Sequence, residues 1–246
     1  MSKRFFVRQP LTAGTARLEG DQAHHLIHVL RIAVGQQVTL FDGGDVEAVA
    51  LVTGINAGAV DLSITELRTA GTESPIELVL AAAVPKGDRF AWLIEKATEL
   101  GVRRFVPLIT TRSVVVPGEG KLDKMRRTIV EASKQCGRTR LMELAEPIDW
   151  SEFVARDLSG AAGWVAHPSA APFEFTGESS SSRVVTAVGP EGGFTAAELE
   201  LATHAGATLV SLGPRVLRIE TAALALAAAF TICRAAGRSS PCPADS

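Results

Sequence analysis

A run of nine residues, Ile76 to Val84 (IELVLAAAV), is apolar at every position but one, and it constrains the fold more than any other stretch of the chain. A strand with one face in water alternates polar and apolar side chains, so an unbroken run needs cover on both faces, as in a parallel sheet flanked by helices. The chain that follows has the matching texture, with helical patterns alternating with apolar runs. Asp88 to Leu100 reads as an amphipathic helix stopped by Gly101, Phe105 to Ile109 as a strand, and Leu122 to Cys136 as a helix stopped by Gly137. Trp164 to Ala166, Val184 to Val188 and Thr208 to Leu212 give three further strands. Thr221 to Ala236, mostly Ala and Leu, reads as a helix buried on most sides. Trp92, at a helical apolar position, is assigned to the core.

The first seventy residues have a different pattern. Phe5 to Arg8, Gln37 to Phe41, Val46 to Thr53 and Ala59 to Leu67 read as strands, with turn chemistry at Asp42-Gly43-Gly44-Asp45 and Asn56-Ala57-Gly58. Asp21 is placed as the N-cap of a helix over Gln22 to Arg31 that puts Leu26, Val29 and Leu30 on one side. These elements predict a small barrel or sandwich over residues 1–70, a linker at Arg68 to Pro75, and an α/β domain over residues 75–238. Gly177 to Ser182 and the tail Gly237 to Ser246 are read as mobile.

Composition narrows the function classes. Twenty-five Lys and Arg against 27 Asp and Glu leave a net charge of −2, which excludes a uniformly basic nucleic-acid coat. The charge is nevertheless uneven, with seven Lys or Arg and two acids between Lys121 and Arg140. With Lys86 and Arg112 near strand ends and Arg4, Arg8, Arg31 and Arg138 elsewhere, that stripe fits contacts to RNA phosphates. The 3 cysteines, Cys136, Cys233 and Cys242, match neither a disulfide framework nor a zinc site, so a reduced, cytoplasmic setting is expected. No apolar run reaches the length of a membrane span. His24 and His28 are four residues apart, but no acid or cysteine supports them in the same helix, and no metal site is expected.

Two strand-to-loop junctions carry the chemistry. One is Val188-Gly189-Pro190-Glu191-Gly192-Gly193-Phe194, followed by Thr195 and Glu198 at capping-box spacing. The other is Leu212-Gly213-Pro214-Arg215-Val216-Leu217-Arg218, leading through Ile219 and Glu220 into the last helix. Ligands of open parallel sheets sit beyond the carboxyl ends of strands, where glycine lets backbone N–H groups come close. Neither loop is a GxGxxG or GxxxxGK[ST] fingerprint, which argues against a dinucleotide-dependent dehydrogenase and a P-loop ATPase.

Six segments in order, HHLIHVLR from His24, KGDRFAWLIEKATELGV from Lys86, TRS from Thr111, EASKQCGR from Glu131, GPEGGF from Gly189 and LGPRVLRIETAAL from Leu212, resemble the RsmE ribosomal RNA methyltransferases of the SPOUT class. Lys134 and Ile219 depart from the family pattern, which has an acidic residue and threonine there. The resemblance implies a PUA-like N-terminal RNA-binding β-barrel, an α/β domain with a deep C-terminal trefoil knot, and a homodimer. It implies methyl transfer from S-adenosyl-L-methionine to N3 of one uracil in 16S ribosomal RNA of the small subunit. The cofactor is then expected on backbone groups around Gly189, Glu191, Gly192, Leu212, Gly213 and Leu217, with Thr221 and Ala222 closing one side.

Uracil N3 becomes nucleophilic only after losing its proton, so the site must help that proton leave and stabilise the anion. Arg218 is the first choice for the anion and Arg138 the second, with Glu191 or Glu220 as proton acceptor. Two other readings stay open on residues alone: a SPOUT methyltransferase acting on another RNA, and a non-catalytic ribosome-assembly protein.

Overall fold

The structure, a computed structural model, describes residues 3–71, 73–173 and 182–235. Of the two segments read as mobile, only Ser182 falls within the described residues. The chain divides into two compact units, Met1–Glu73 with Val130–Leu141, and Ser74–Ile129 with Met142–Ser246. The returning segment Val130–Leu141 was not expected, because one continuous helix carries the chain across the division and periodicity gives no sign of it.

In the first unit, β1 (Arg4–Phe6), β2 (Gly14–Leu18), β3 (Gln37–Phe41), β4 (Val46–Asn56) and β5 (Ala59–Thr69) form one sheet in the order β1-β3-β4-β5-β2. All pairs are antiparallel except β1 with β3. The two-residue period of β4 buries Ala48, Ala50 and Val52, which meet Val38 and Leu40 of β3 and Val60 and Leu62 of β5 in a single core. β2 was missed, since only Leu18 of its five residues is buried and no alternation shows. Helix α1 (Gly20–His24) continues as a π-helical turn over His25–Val29. Asp21 is therefore inside the first turn rather than at the N-cap, which is Glu19, and Val29 points to solvent at 59% exposure.

The second unit begins with β6 (Glu77–Ala83), whose residues from Leu78 to Ala83 are all buried, as its apolar run requires. Then come α2 (Arg89–Glu99), β7 (Arg104–Ile109), α3 (Glu119–Cys136), β8 (Glu143–Leu144) and β9 (Ile148–Asp149). Helix α4 (Trp150–Phe153) runs on as a π-helical turn over Val154–Leu158, followed by β10 (Ala162–Ala166), β11 (Arg183–Val188), α5 (Ala196–His204), β12 (Thr208–Val210) and α6 (Ile219–Ala235). The sheet order is β12-β10-β11-β6-β7-β8, with β9 also on β7, and every pairing is parallel. Trp150, Phe153, Val154 and Leu158 pack with Val79, Ala81, Val106, Val185 and Ala187 on one face. Helix α6 buries Ala223, Leu226, Ala227 and Phe230 and packs on β6, β11 and α2.

Trp92 departs from its expected place, being 46% exposed. The buried stripe of α2 is Phe90, Leu93, Ile94 and Ala97, and position 92 falls outside that i, i+3, i+4, i+7 set. Among the described residues, no helix is long and apolar enough to cross a membrane.

Candidate active site

From β6 the chain steps outward through β7 to β8 and β9, then crosses to the far side of β6 to lay down β10, β11 and β12. Such a reversal opens a crevice at the carboxyl ends of the strands. A mostly apolar cleft, open to solvent, lies there, where small-molecule sites of open α/β sheets are usually built. The loop after β11 contributes Gly189, Pro190, Glu191, Gly193 and Phe194. The loop after β12 contributes Leu212, Gly213, Arg215, Val216 and Leu217, and the entry of α6 adds Ile219 and Ala222. A third wall, Ala166, His167 and Pro168 after β10, carries no glycine signature and was not read from the sequence; the signal available was the strand end itself.

Six of the eight expected cofactor residues line this cleft: Gly189, Glu191, Leu212, Gly213, Leu217 and Ala222. Gly192 and Thr221 do not. Gly189 lies under the Phe194 ring, where a Cβ would sit 2.9 Å from Cδ2, so only glycine fits without moving the ring. Phe194 is held in turn by Trp150, with ring centroids 4.4 Å apart. Gly213 has φ +105°, a left-handed conformation that side chains other than glycine resist. Gly192 has a different job, since a Cβ there would meet Cδ of Arg112 at 3.2 Å.

Glu198 secures the start of α5. Its Oε2 accepts from the Thr195 N–H and hydroxyl at 2.7 and 3.0 Å, and its N–H donates back to Thr195 Oγ1, completing the expected capping box. Oε1 accepts from the N–H and hydroxyl of Thr111 at 2.8 and 3.0 Å, which ties the turn after β7 to the same helix. Burial raises the Glu198 carboxyl, but the donors from Thr111 and Thr195 outweigh it and hold the group below the usual carboxylate range.

Arg89, in the first turn of α2, sits between two carboxylates, 3.5 Å from Glu220 Oε1 and 3.7 Å from Glu191 Oε1. Glu220 is 5% exposed and its Oε2 has no protein partner, an arrangement that leaves one acceptor of a buried carboxylate unused. Arg218 is exposed on the loop leading into α6. Arg138 is only 3% exposed and belongs to the first unit, where its guanidinium forks onto Glu73 with Nη2 at 2.8 Å. That pairing removes the freedom an anion-stabilising or phosphate-contacting arginine needs. Arg4 is likewise engaged, with Glu47 at 2.6 Å and the Arg138 carbonyl at 3.4 Å, although it still lines a groove of the first unit with His25 and Lys134. Arg8, Arg31 and Lys86 are exposed. The exposed Arg112 donates to the Gly192 carbonyl at 2.6 Å.

Family models for an RNA methyltransferase domain and an RNA methyltransferase PUA domain match residues 72–231 and 18–65. The chain is 30% identical to the ribosomal RNA small subunit methyltransferase E of Bacillus subtilis over 90% of its length and 93% of that protein's. It is 33% identical to the Synechocystis protein of the same name over 87% of its length and 72% of the other's. The Neisseria gonorrhoeae enzyme of that name, solved with S-adenosyl methionine bound, superposes with a TM-score of 0.86 at 30% identity, covering 95% of this chain and 98% of the other. A Legionella pneumophila methyltransferase in complex with the same cofactor gives 0.82 at 31% identity, over 96% and 98%. A model match over most of the chain, with relatives covered nearly end to end, means that this chain belongs to the ribosomal RNA small subunit methyltransferase E family.

Proposed function

We propose that the protein transfers a methyl group from S-adenosyl-L-methionine to N3 of one uracil in 16S ribosomal RNA of the small ribosomal subunit. The observation that carries this reading is the cleft at the ends of β10, β11 and β12, built from the glycine-bearing loops in a chain whose fold is similar to that of two cofactor-bound proteins. Its walls fit the cofactor: mostly apolar surface, a glycine under an aromatic ring, a second glycine in a left-handed turn, and few charged side chains. Gly189, Leu212, Gly213 and Leu217 would hold it, with Glu191 at the mouth and Ala222 at the helix entry. When bound, it supplies an electrophilic methyl group on a sulfonium.

The rest of the chemistry falls to the protein. In-line displacement needs the uracil oriented and its N3 proton removed. Glu191 or Glu220 is the acceptor: Glu191 lines the cleft, and Glu220, buried behind the entry of α6, keeps its Oε2 without a protein partner. Arg218, exposed two residues before it, is assigned to the developing anion on the uracil oxygens. Exposed Arg8 and Arg31 in the first unit and Lys86 in the second support RNA phosphate binding, whereas Arg4 and Lys134 are ion-paired with Glu47 and Glu131. Reaching the base requires local unstacking.

Finer features belong to the same reading: a PUA-like barrel, a C-terminal trefoil knot, a homodimer and a cytoplasmic site of action. The exposed apolar side chains Val114, Val116 and Ile232 support burial against a second copy. Methyl transfer from tritiated S-adenosylmethionine to small subunits lacking native modifications tests the proposal. Arg218→Ala is expected to keep cofactor affinity and to lose about two orders of magnitude in turnover, the usual scale for one transition-state donor. Full turnover in that variant removes Arg218 from the mechanism, and label appearing only in another RNA moves the substrate. RNA binding without any cofactor binding favours an assembly factor.

A further inference from the structure

The turn after β7 holds a motif, Thr111-Arg112-Ser113, that the reaction itself leaves unused. It is a fixed turn: Thr110 N–H donates to Ser113 Oγ at 2.9 Å and Ser113 N–H to the Thr110 carbonyl at 3.0 Å. Thr111 is tied to Glu198 by two hydrogen bonds, so the base of Arg112 is fixed relative to α5. From that base Arg112 Nη1 donates to the Gly192 carbonyl at 2.6 Å, a short charge-assisted bond. Its methylenes pack against the place a Cβ on residue 192 would take, with Cδ 3.2 Å and Cβ 3.4 Å from it. Residues on both sides of Gly192 line the cleft, while Gly192 and Arg112 do not. Within the loop itself, the Gly193 N–H to Pro190 carbonyl bond at 2.8 Å closes a tight turn but fixes nothing to the sheet.

We propose that Arg112 is a positioning residue: it braces the Gly189–Phe194 loop through Gly192 and so sets cofactor affinity, rather than contacting RNA phosphates. This rests on the reading of the cleft as the S-adenosylmethionine site. It also gives Gly192 its reason, since the missing side chain makes room for the arginine stem rather than for the ligand. The guanidinium matters for its reach and its donor; a lysine keeps the donor without the planar fork.

Calorimetric titration with S-adenosylmethionine in the absence of RNA tests the brace, alongside binding of 16S ribosomal RNA across a range of salt. Arg112→Met keeps the methylenes and loses the donor, and its cofactor affinity is expected to fall roughly tenfold, the scale of one charge-assisted hydrogen bond. Arg112→Lys recovers part of that loss, and both variants keep the wild-type salt slope for RNA. Gly192→Ala, which displaces the stem, weakens cofactor binding in the wild-type background and adds nothing to Arg112→Met. Unchanged cofactor affinity with an RNA salt slope reduced by about one overturns the proposal and makes Arg112 a phosphate contact. Unchanged binding of both ligands also overturns it. A wild-type protein that binds no S-adenosylmethionine overturns the cleft reading and the brace with it, which separates that failure from a failure of Arg112 alone.

Discussion

Ala57 occupies the first of two loop positions in the β4–β5 hairpin, with φ 48°, and Gly58 follows at φ 80°. Two left-handed residues between paired strands are the type I′ geometry that suits strand twist. A side chain with a Cβ costs about 1–2 kcal/mol in that region, and Asn tolerates it better than Ala. Ala57→Asn is therefore expected to raise the unfolding free energy by about 1 kcal/mol, measured by denaturant titration, with cofactor binding unchanged. Asn56-Ala57-Gly58 was legible as a turn from composition. Its strain was not, because the conformation of Ala57 follows from the register that pairs Asn56 with Ala59.

At the scale of elements, Glu198 joins the turn after β7 to α5 through four accepted hydrogen bonds. Its carboxyl is held below the usual range, so the folded state favours the ionised form. That stabilisation is complete above the unfolded-state value near 4.5 and is lost as pH falls through the depressed folded value. Glu198→Gln, which sets an amide donor against backbone N–H groups, is expected to cost about 2 kcal/mol at neutral pH. In denaturation at several pH values, the gap between wild type and variant should close on acidification; a gap that stays constant from pH 7 down to acid would refute the assignment. The capping box was readable because it is local, Thr195 with Glu198. The Thr111 half was hidden, 87 residues away and joined only by the order of strands in the sheet.

The same contrast runs through the other elements. Strand β3 and helix α2 emerged from their own local pattern, and β6 from its unbroken apolar run. Strand β2 and the β9–α4 stretch did not: the first buries one side chain in five, whereas the second does carry a helical signal, Trp150, Phe153, Val154 and Leu158 at i, i+3, i+4 and i+8, that the reading passed over. Two walls of the cleft were visible through their glycines, whereas His167 and Pro168 became part of it only because β10 lies between β11 and β12.

For the whole molecule, the all-parallel sheet of the second unit carries the cleft, and the mostly antiparallel sheet of the first carries a groove with Arg4, His25 and Lys134. The proposed catalytic residues lie in the second unit, and Arg8 and Arg31, two of the proposed phosphate contacts, in the first, so changes at these two sets should separate in kinetics. Arg8→Ala combined with Arg31→Ala is expected to raise KM for the subunit several-fold and leave kcat nearly unchanged, as lost phosphate contacts do. An equal fall in kcat would contradict that division. The proposed activity of the cleft is methylation of a uracil at N3. Its most direct test is digestion of small-subunit RNA to nucleosides after turnover with labelled S-adenosylmethionine. Label is expected in 3-methyluridine from 16S ribosomal RNA. Label in a ribose-methylated or carbon-methylated nucleoside, or in no RNA nucleoside at all, would contradict it.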